Sequence, residues 1–395
     1  MRIGLLTYHW VANYGANLQA LSTYCFLEKQ GFNPIVINWV PEDAWNSYIQ
    51  GASLEQIIVH NDFISRNCRL TRKFSNQSEL QEIVYEEGIT HVVIGSDALF
   101  NIIKPHFHPL KMKYSQPTAD HCYPNIYWGL NMDNLPHAGL SISSQNARYF
   151  EFFLKRKEIG NVLGRFKLIT VRDNWTRDMV SFFTHGSIIP EITPDPVFSF
   201  NANISDIPTK EDIRRKYSLD EHYVLVSFEK NPYFAAPREW IEELNALFTG
   251  IGVQLVNMPR PTGGQEFSTY KQIQMPIDPM DWYCLIKYSY AYIGILMHPI
   301  VVALHNSVPF FSFDGYGISL GPYKNIRSSK TYHILNKAQL LDYYTSMIIE
   351  KQFPPVNEVF SKIQAFPKER CANFSKKMEK ACIDNYYRII ESLFQ

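Results

Sequence analysis

Short apolar runs alternate along this chain with stretches whose apolar residues recur at helical spacing. That alternation predicts parallel strands joined by helical crossovers. Ile3–Thr7 reads as the first strand and Tyr8–Gly15 as a loop. Asn17–Gln30 reads as a helix, with Asn17 as its cap, Leu18, Leu21 and Cys25 on one face, and Gly31 at its end. Pro34–Trp39 is the next strand, so the first forty residues make a βαβ unit with a right-handed crossover. Residues 41–85 are mixed and helical. Thr90–Gly95 is a buried strand running into Ser96 and Asp97. Residues 104–145, rich in His, Pro, Asn and Tyr, read as irregular. A helix near Ala147–Glu158, a strand Leu168–Val171 ending in Arg172, and a helix from about Asn174 follow.

Pro190–Pro196 (PEITPDP) is the most linker-like stretch. Beyond it the pattern restarts: strand Tyr223–Phe228, helix Arg238–Phe248, strand Val253–Met258 and helix Pro279–Tyr288. Ala291–Ile295 is then a strand, Ile300–His305 a buried helix opened by Pro299, and Phe310–Phe313 a strand ending in Asp314. Phe374–Leu393 closes the chain as a helix with Phe374, Met378, Cys382, Tyr386 and Leu393 on one stripe. The expectation is α/β, with two doubly wound Rossmann-like domains over residues 1–196 and 197–370 and a helix 371–395 packing back across both. Two such domains facing across a cleft is the GT-B arrangement.

Composition narrows the function classes. A chain of 395 residues suits two domains, and its formal net charge of zero gives no field for nucleic acid. The six cysteines form no Cys-x-x-Cys pair, so they read as reduced core residues. No signal peptide and no membrane-length apolar run is evident. A cytoplasmic protein is expected, with contact at the inner face of the membrane left open. The oligomeric state is left open too. Metal sites, a Walker loop and a nucleophile elbow are all missing from the sequence, so no cofactor is expected.

Candidate chemistry gathers at strand ends, where open α/β sheets bind ligands. His298 follows one strand and can act as general acid, or as a cation holding phosphate or carboxylate; it can equally be a buried structural histidine. Asn13, Tyr14 and Gly15 open the first helix and can face a phosphate or sugar, or form a plain turn. Asp97, with Ser96 before it, can serve a sugar hydroxyl or cap the residues after it. Arg172 can clamp an anion or pair with Asp173 or Asp178. Arg327 and Lys330, clustered with His298, would make an anion pocket; otherwise they are a solvated run.

The chain resembles the polysaccharide pyruvyl transferase family. The resemblance rests on NYGANLQAL, VVIGSDALFN, ITVRD, TPDPVF and YIGILMHPIVVALHNSVPFFSFD, in the family's order over roughly residues 3 to 330. It implies a GT-B-like fold and transfer of the enolpyruvyl unit of phosphoenolpyruvate, as donor co-substrate, to a sugar. That sugar belongs to a surface polysaccharide or its lipid-linked precursor, and the product is a pyruvate ketal. His298 and Arg172 match the family's histidine and arginine. Where members commonly carry an arginine two residues before the histidine, this chain has Leu296, so Arg327, Lys330 or Lys230 would have to supply the cation. On this reading His298 is the acid, Asp97 takes the hydroxyl proton, Arg172 clamps the donor, and Asp314 lies at the donor side. Two other readings stay open: a GT-B glycosyltransferase using a nucleotide sugar, with Glu229 or Glu266 on the ribose, and a non-catalytic glycan-binding member.

Overall fold

The computed structural model describes residues 1–108, 112–231, 234–267, 269–320, 323–350 and 352–395. Its frame is two six-stranded parallel sheets. The first contains β1 (Arg2–Leu6), β2 (Asn33–Val36), β3 (His91–Asp97), β4 (His137–Ile142), β5 (Ile169–Val171) and β6 (Glu191–Ile192), in the order β2-β1-β3-β4-β5-β6. Leu5 of β1 lies opposite Val36 on one side and Val93 on the other. The second contains β7 (Tyr223–Ser227), β8 (Gln254–Asn257), β9 (Lys271–Gln272), β10 (Ala291–Gly294), β11 (Phe310–Asp314) and β12 (Tyr344–Ser346), ordered β9-β8-β7-β10-β11-β12. Strand order reverses between β1 and β3 in one sheet and between β7 and β10 in the other. Those crevices, at the carboxyl ends of the strands, are where such sheets take ligands.

Seven helices matter for the site: α1 (Tyr14–Lys29), α2 (Leu54–Asn67), α3 (Asn174–Phe183), α4 (Pro279–Lys287), α5 (Met297–His305), α6 (Lys330–Lys337) and α7 (Lys368–Leu393). One apolar cluster joins the domains, running from Ile3, Leu18 and Leu27 through Tyr283, Val301 and Leu304 to Met378 and Ile389. Separate clusters fill the outer faces of the two sheets. Polar clasps add direction to this interface. The Gln56 side chain both donates to the Ile277 carbonyl (2.8 Å) and accepts from the Ile277 amide (2.7 Å), and Tyr14 stacks on Trp282 with ring centroids 4.8 Å apart.

The closing helix buries Cys371, Ser375, Met378, Cys382, Asn385, Tyr386, Ile389 and Leu393. Its Cys371 thiol reaches the Leu304 carbonyl in the second domain (3.3 Å). Its Asn385 amide reaches Thr170 in the first (3.2 Å). The helix therefore straddles both domains, with Phe374 only half-buried.

Three local readings are corrected. The first helix begins at Tyr14, because the Asn13 side chain accepts from the Ala16 amide (3.3 Å). Asn17 is instead fully buried, donating to the His9 carbonyl (2.9 Å) and bonded to His60. Among the described residues of 104–145 lie a hairpin, His106–His108 against Lys113–Ser115, and the central strand β4. The apparent linker Pro190–Pro196 contains β6 and ends in a buried turn capped by Asp195, whose carboxylate accepts from the Val197 amide (3.0 Å).

Candidate functional site

A cavity of about 540 Å³ opens between the two sets of strand ends. The first domain lines it with Tyr8, Trp10, Asn13, Tyr14 and Gly15 after β1, and with Asp97 at the end of β3. The second contributes Arg260, Trp282, Leu296, His298, Tyr316 and Lys330.

His298 stands at the start of α5. The residue before that helix, Leu296, has φ +83° and ψ 146°, a region that costs a non-glycine residue about 1–3 kcal/mol and recurs at functional sites. The turn throws the imidazole across the cleft onto Gly15. A Cβ built on Gly15 would lie 2.0 Å from His298 Cγ and 2.1 Å from Nδ1, so only glycine admits the ring there.

His298 Nε2 is 3.2 Å from the Gln19 amide nitrogen and 3.8 Å from Asp195 Oδ2. The same Gln19 amide donates to Asp195 Oδ2 at 2.6 Å. Burial, against the pull of Asp195, pushes the imidazole pKa down to about 4. Burial therefore favours the neutral ring at pH 7.

Arg172 is buried, with its guanidinium between Asp195 Oδ2 (2.5 Å) and Asp97 Oδ1 (3.2 Å). It does not line the cavity. Two carboxylates hold its two terminal nitrogens, while its buried Nε has no partner; in this structure it stands as a post that fixes both acids, behind the cavity wall. Burial pushes the Asp97 carboxyl up, but the Arg172 guanidinium, with Lys330 and His298 behind it, outweighs this and holds it below the usual carboxylate range. Asp97 faces the cavity as a carboxylate.

Lys330 is the cation that the geometry adds to His298. Asp314 holds the Ser329 hydroxyl and accepts from the Tyr344 hydroxyl (2.9 Å), and Ser329 in turn caps α6 at Tyr332 (3.2 Å). This fixes Lys330 at the cavity wall. Burial, then the nearby Arg172, lowers its pKa to about 8. Asp314 itself is buried behind that wall, and its carboxyl is raised by burial. It supports Lys330 and does not line the cavity. Ser96 is likewise behind the wall, donating to the Ser141 carbonyl (2.8 Å).

Two expected cations lie elsewhere. Asn325 caps the turn Ile326–Ser328 through the Arg327 amide (2.9 Å). That turn directs Ser328 and Lys330 inward and leaves Arg327 in an outer groove with Arg177 and His333. Lys230 pairs with Glu266 on the surface at 3.1 Å. Arg260, which the sequence did not single out, lines the cavity and is held by Glu229 at 2.6 Å. Both carboxylates considered for a ribose, Glu229 and Glu266, are thus ion-paired, and neither lines the cavity. Gln19 and Asp195 were also missed as site residues. The described residues contain no metal-ligating cluster, and no helix among them is long and apolar enough to cross a membrane.

A search of curated proteins returned no match. Solved structures do resemble the chain. A UDP-GlcNAc 2-epimerase from Neisseria meningitidis bound to UDP-GlcNAc is 9% identical with TM-score 0.51, covering 100% of each chain. S. aureus MnaA with UDP is 12% identical with TM-score 0.54, covering 98% of this chain and 94% of its own. The spinosyn forosaminyltransferase SpnP is 10% identical with TM-score 0.50, covering 100% of both. At such identities the likeness shows the fold alone, the GT-B arrangement of glycosyltransferases and epimerases. The sequence profile of one family matches residues 13–315, which takes in Asn13, Gly15, Asp97, Arg172, Asp195 and His298: the chain belongs to the polysaccharide pyruvyl transferase family.

Proposed function

We propose that this protein transfers the enolpyruvyl unit of phosphoenolpyruvate to a sugar of a surface polysaccharide or its lipid-linked precursor, closing a cyclic pyruvate ketal. The observation that carries the reading is the neutral His298, pressed on Gly15 and bonded toward Gln19 and Asp195, in one cavity with Lys330 and Asp97. A neutral imidazole is poised to accept a proton, and Asp195 stabilises the imidazolium that results.

In the first step a sugar hydroxyl attacks C2 of the donor. His298 takes the hydroxyl proton and returns it to C3, so the methylene becomes methyl. In the second step phosphate leaves and the neighbouring hydroxyl attacks C2. Its proton departs with phosphate, and the two C–O bonds of the ketal are in place. Lys330 and Arg260 meet the donor's negative charge, replacing the cation that Leu296 cannot supply. Asp97 accepts a hydrogen bond from the acceptor. Tyr8, Trp10 and Trp282 offer flat apolar faces to a sugar ring.

The test is ligand protection with a matched variant. Phosphoenolpyruvate should raise the melting temperature, as any ligand selective for the native state does, and His298→Ala should abolish phosphate release while the variant still unfolds in one cooperative transition. Protection by a uridine nucleotide and none by phosphoenolpyruvate would instead favour a nucleotide-sugar glycosyltransferase.

A further inference from the structure

A few residues after the cavity-lining Asn146, the first domain leaves large apolar side chains in water. Phe150, Phe153 and Leu154 are 46%, 62% and 98% exposed. They belong to the short 3-10 segment Tyr149–Lys155. Tyr149, packed on Trp175 and Phe182, and the buried Phe152 hold that segment in place. The three outward side chains are thus presented by a fixed backbone rather than by a loose loop. Three large apolar side chains exposed within five residues call for a partner.

The charges around it are mostly positive. Between Arg148 and Glu158 the sequence has four basic residues and two acidic ones. Lys155 and Lys157 are exposed, and Arg148 lies 3.6 Å from Glu151. Arg156 is held against the Phe182 ring at 4.4 Å. The patch also continues toward the site. Lys155 Nζ sits over the Tyr123 ring at 5.6 Å. Two residues before that tyrosine, the His121 carbonyl accepts from the Ile103 amide (3.0 Å), and Ile103 is itself 46% exposed. His121, Gln145 and Asn146 line the cavity. This apolar and basic apron therefore begins four residues after the cavity-lining Asn146.

We propose that this apron docks the protein on an anionic phospholipid bilayer. Phe150, Phe153 and Leu154 enter the headgroup–acyl boundary, while Lys155 and Lys157 meet the lipid phosphates. The composition favours a membrane over a protein partner. Lysines directly following aromatic and aliphatic tips suit the bilayer interface, whereas protein interfaces deplete lysine at their cores. Docking here would bring the cavity mouth to the surface on which a lipid-linked acceptor resides. The proposal does not depend on the chemistry inside the cavity.

The test is sedimentation with phosphatidylcholine vesicles, with and without phosphatidylglycerol. The full-length protein should partition onto the anionic vesicles and weakly onto the neutral ones. Phe153→Ser and Leu154→Ser should each lower partitioning on the order of tenfold, from the apolar area they no longer bury. Lys155→Gln and Lys157→Gln should each lower it about fivefold on anionic vesicles. Both apolar positions are exposed, so the variants should keep the wild-type melting temperature. In a second readout, Leu154→Trp should show a blue-shifted emission on adding anionic vesicles. No partitioning onto either vesicle, or partitioning unchanged in the serine variants, overturns the proposal. A dimer in gel filtration that the serine variants dissociate overturns it as well, since a second copy would then cover the patch.

Discussion

Replacing Gly15 by alanine places a methyl group 2.0 Å from His298 Cγ and 2.4 Å from Cδ2. Carbon atoms rest at about 3.5–4.0 Å, so the imidazole must retreat by roughly 1.5–2 Å. Its retreat breaks the approach to Gln19 and Asp195, now at 3.2 and 3.8 Å. A displacement of about 1 Å at a reacting group costs on the order of a hundredfold in rate, so Gly15→Ala should lower kcat/KM by about two orders of magnitude or more. The fold should survive. Gly15 is the second residue of α1, where alanine is preferred over glycine by about 1 kcal/mol, against a local overpacking cost of about 1–3 kcal/mol. Phosphate release and thermal unfolding measured on the same preparation separate the two effects. A double-mutant cycle sharpens the test: in a His298→Ala background, Gly15→Ala should cause almost no further loss, because the methyl acts through the ring. Near-normal turnover of the single variant, or full additivity in the cycle, would refute the reasoning.

Other consequences follow from the same geometry. If charged Lys330 holds the donor, KM for phosphoenolpyruvate should rise as pH climbs through about 8, where burial beside Arg172 places its pKa; Lys330→Met should raise KM throughout and flatten that dependence. Burial lowers the folded-state pKa of His60 and His305 to about 3 and of His298 to about 4. The unfolded chain, with histidines near 6.5, therefore binds more protons below that pH. Their contribution to stability is complete above pH 6.5 and is lost as pH falls toward 4, by about 3 kcal/mol for each histidine. Thermal unfolding across that window should show a falling midpoint, shallower in His305→Gln, and a flat profile contradicts it. Arg172→Met removes the post between two buried carboxylates and should destabilise the fold by about 3–5 kcal/mol, whereas Lys330→Met should not; equal melting temperatures would count against the buried-triad reading.

The sequence announced the strand ends and hid what stands behind them. His298 was legible because a strand, a proline-started helix and a second strand follow in register, and Asp97 because it ends an apolar run. Arg172 was legible as an arginine after a strand. Its burial was not, because its partners Asp97 and Asp195 come from two other crossovers. Asp195 was obscured by its proline neighbours, which made a buried capped turn look like a linker. Gln19 sits inside α1 with no local signal, and its role depends on the second domain approaching that face. Lys330 and Arg327 differ only in the phase of a turn set by Asn325 and Ser329, which residue spacing alone does not give. β4 was missed because a six-residue strand lies within polar, proline-rich surroundings.

The central claim is that His298 moves a proton between an acceptor hydroxyl and the donor methylene. Incubation with phosphoenolpyruvate and lipid-linked glycans, followed by mass spectrometry of the glycan and measurement of phosphate, tests it most directly. The account predicts a product carrying a pyruvate ketal, one phosphate released per ketal, and neither in His298→Ala. Ketal formation undiminished in that variant, or transfer of a sugar in place of pyruvate, would contradict it.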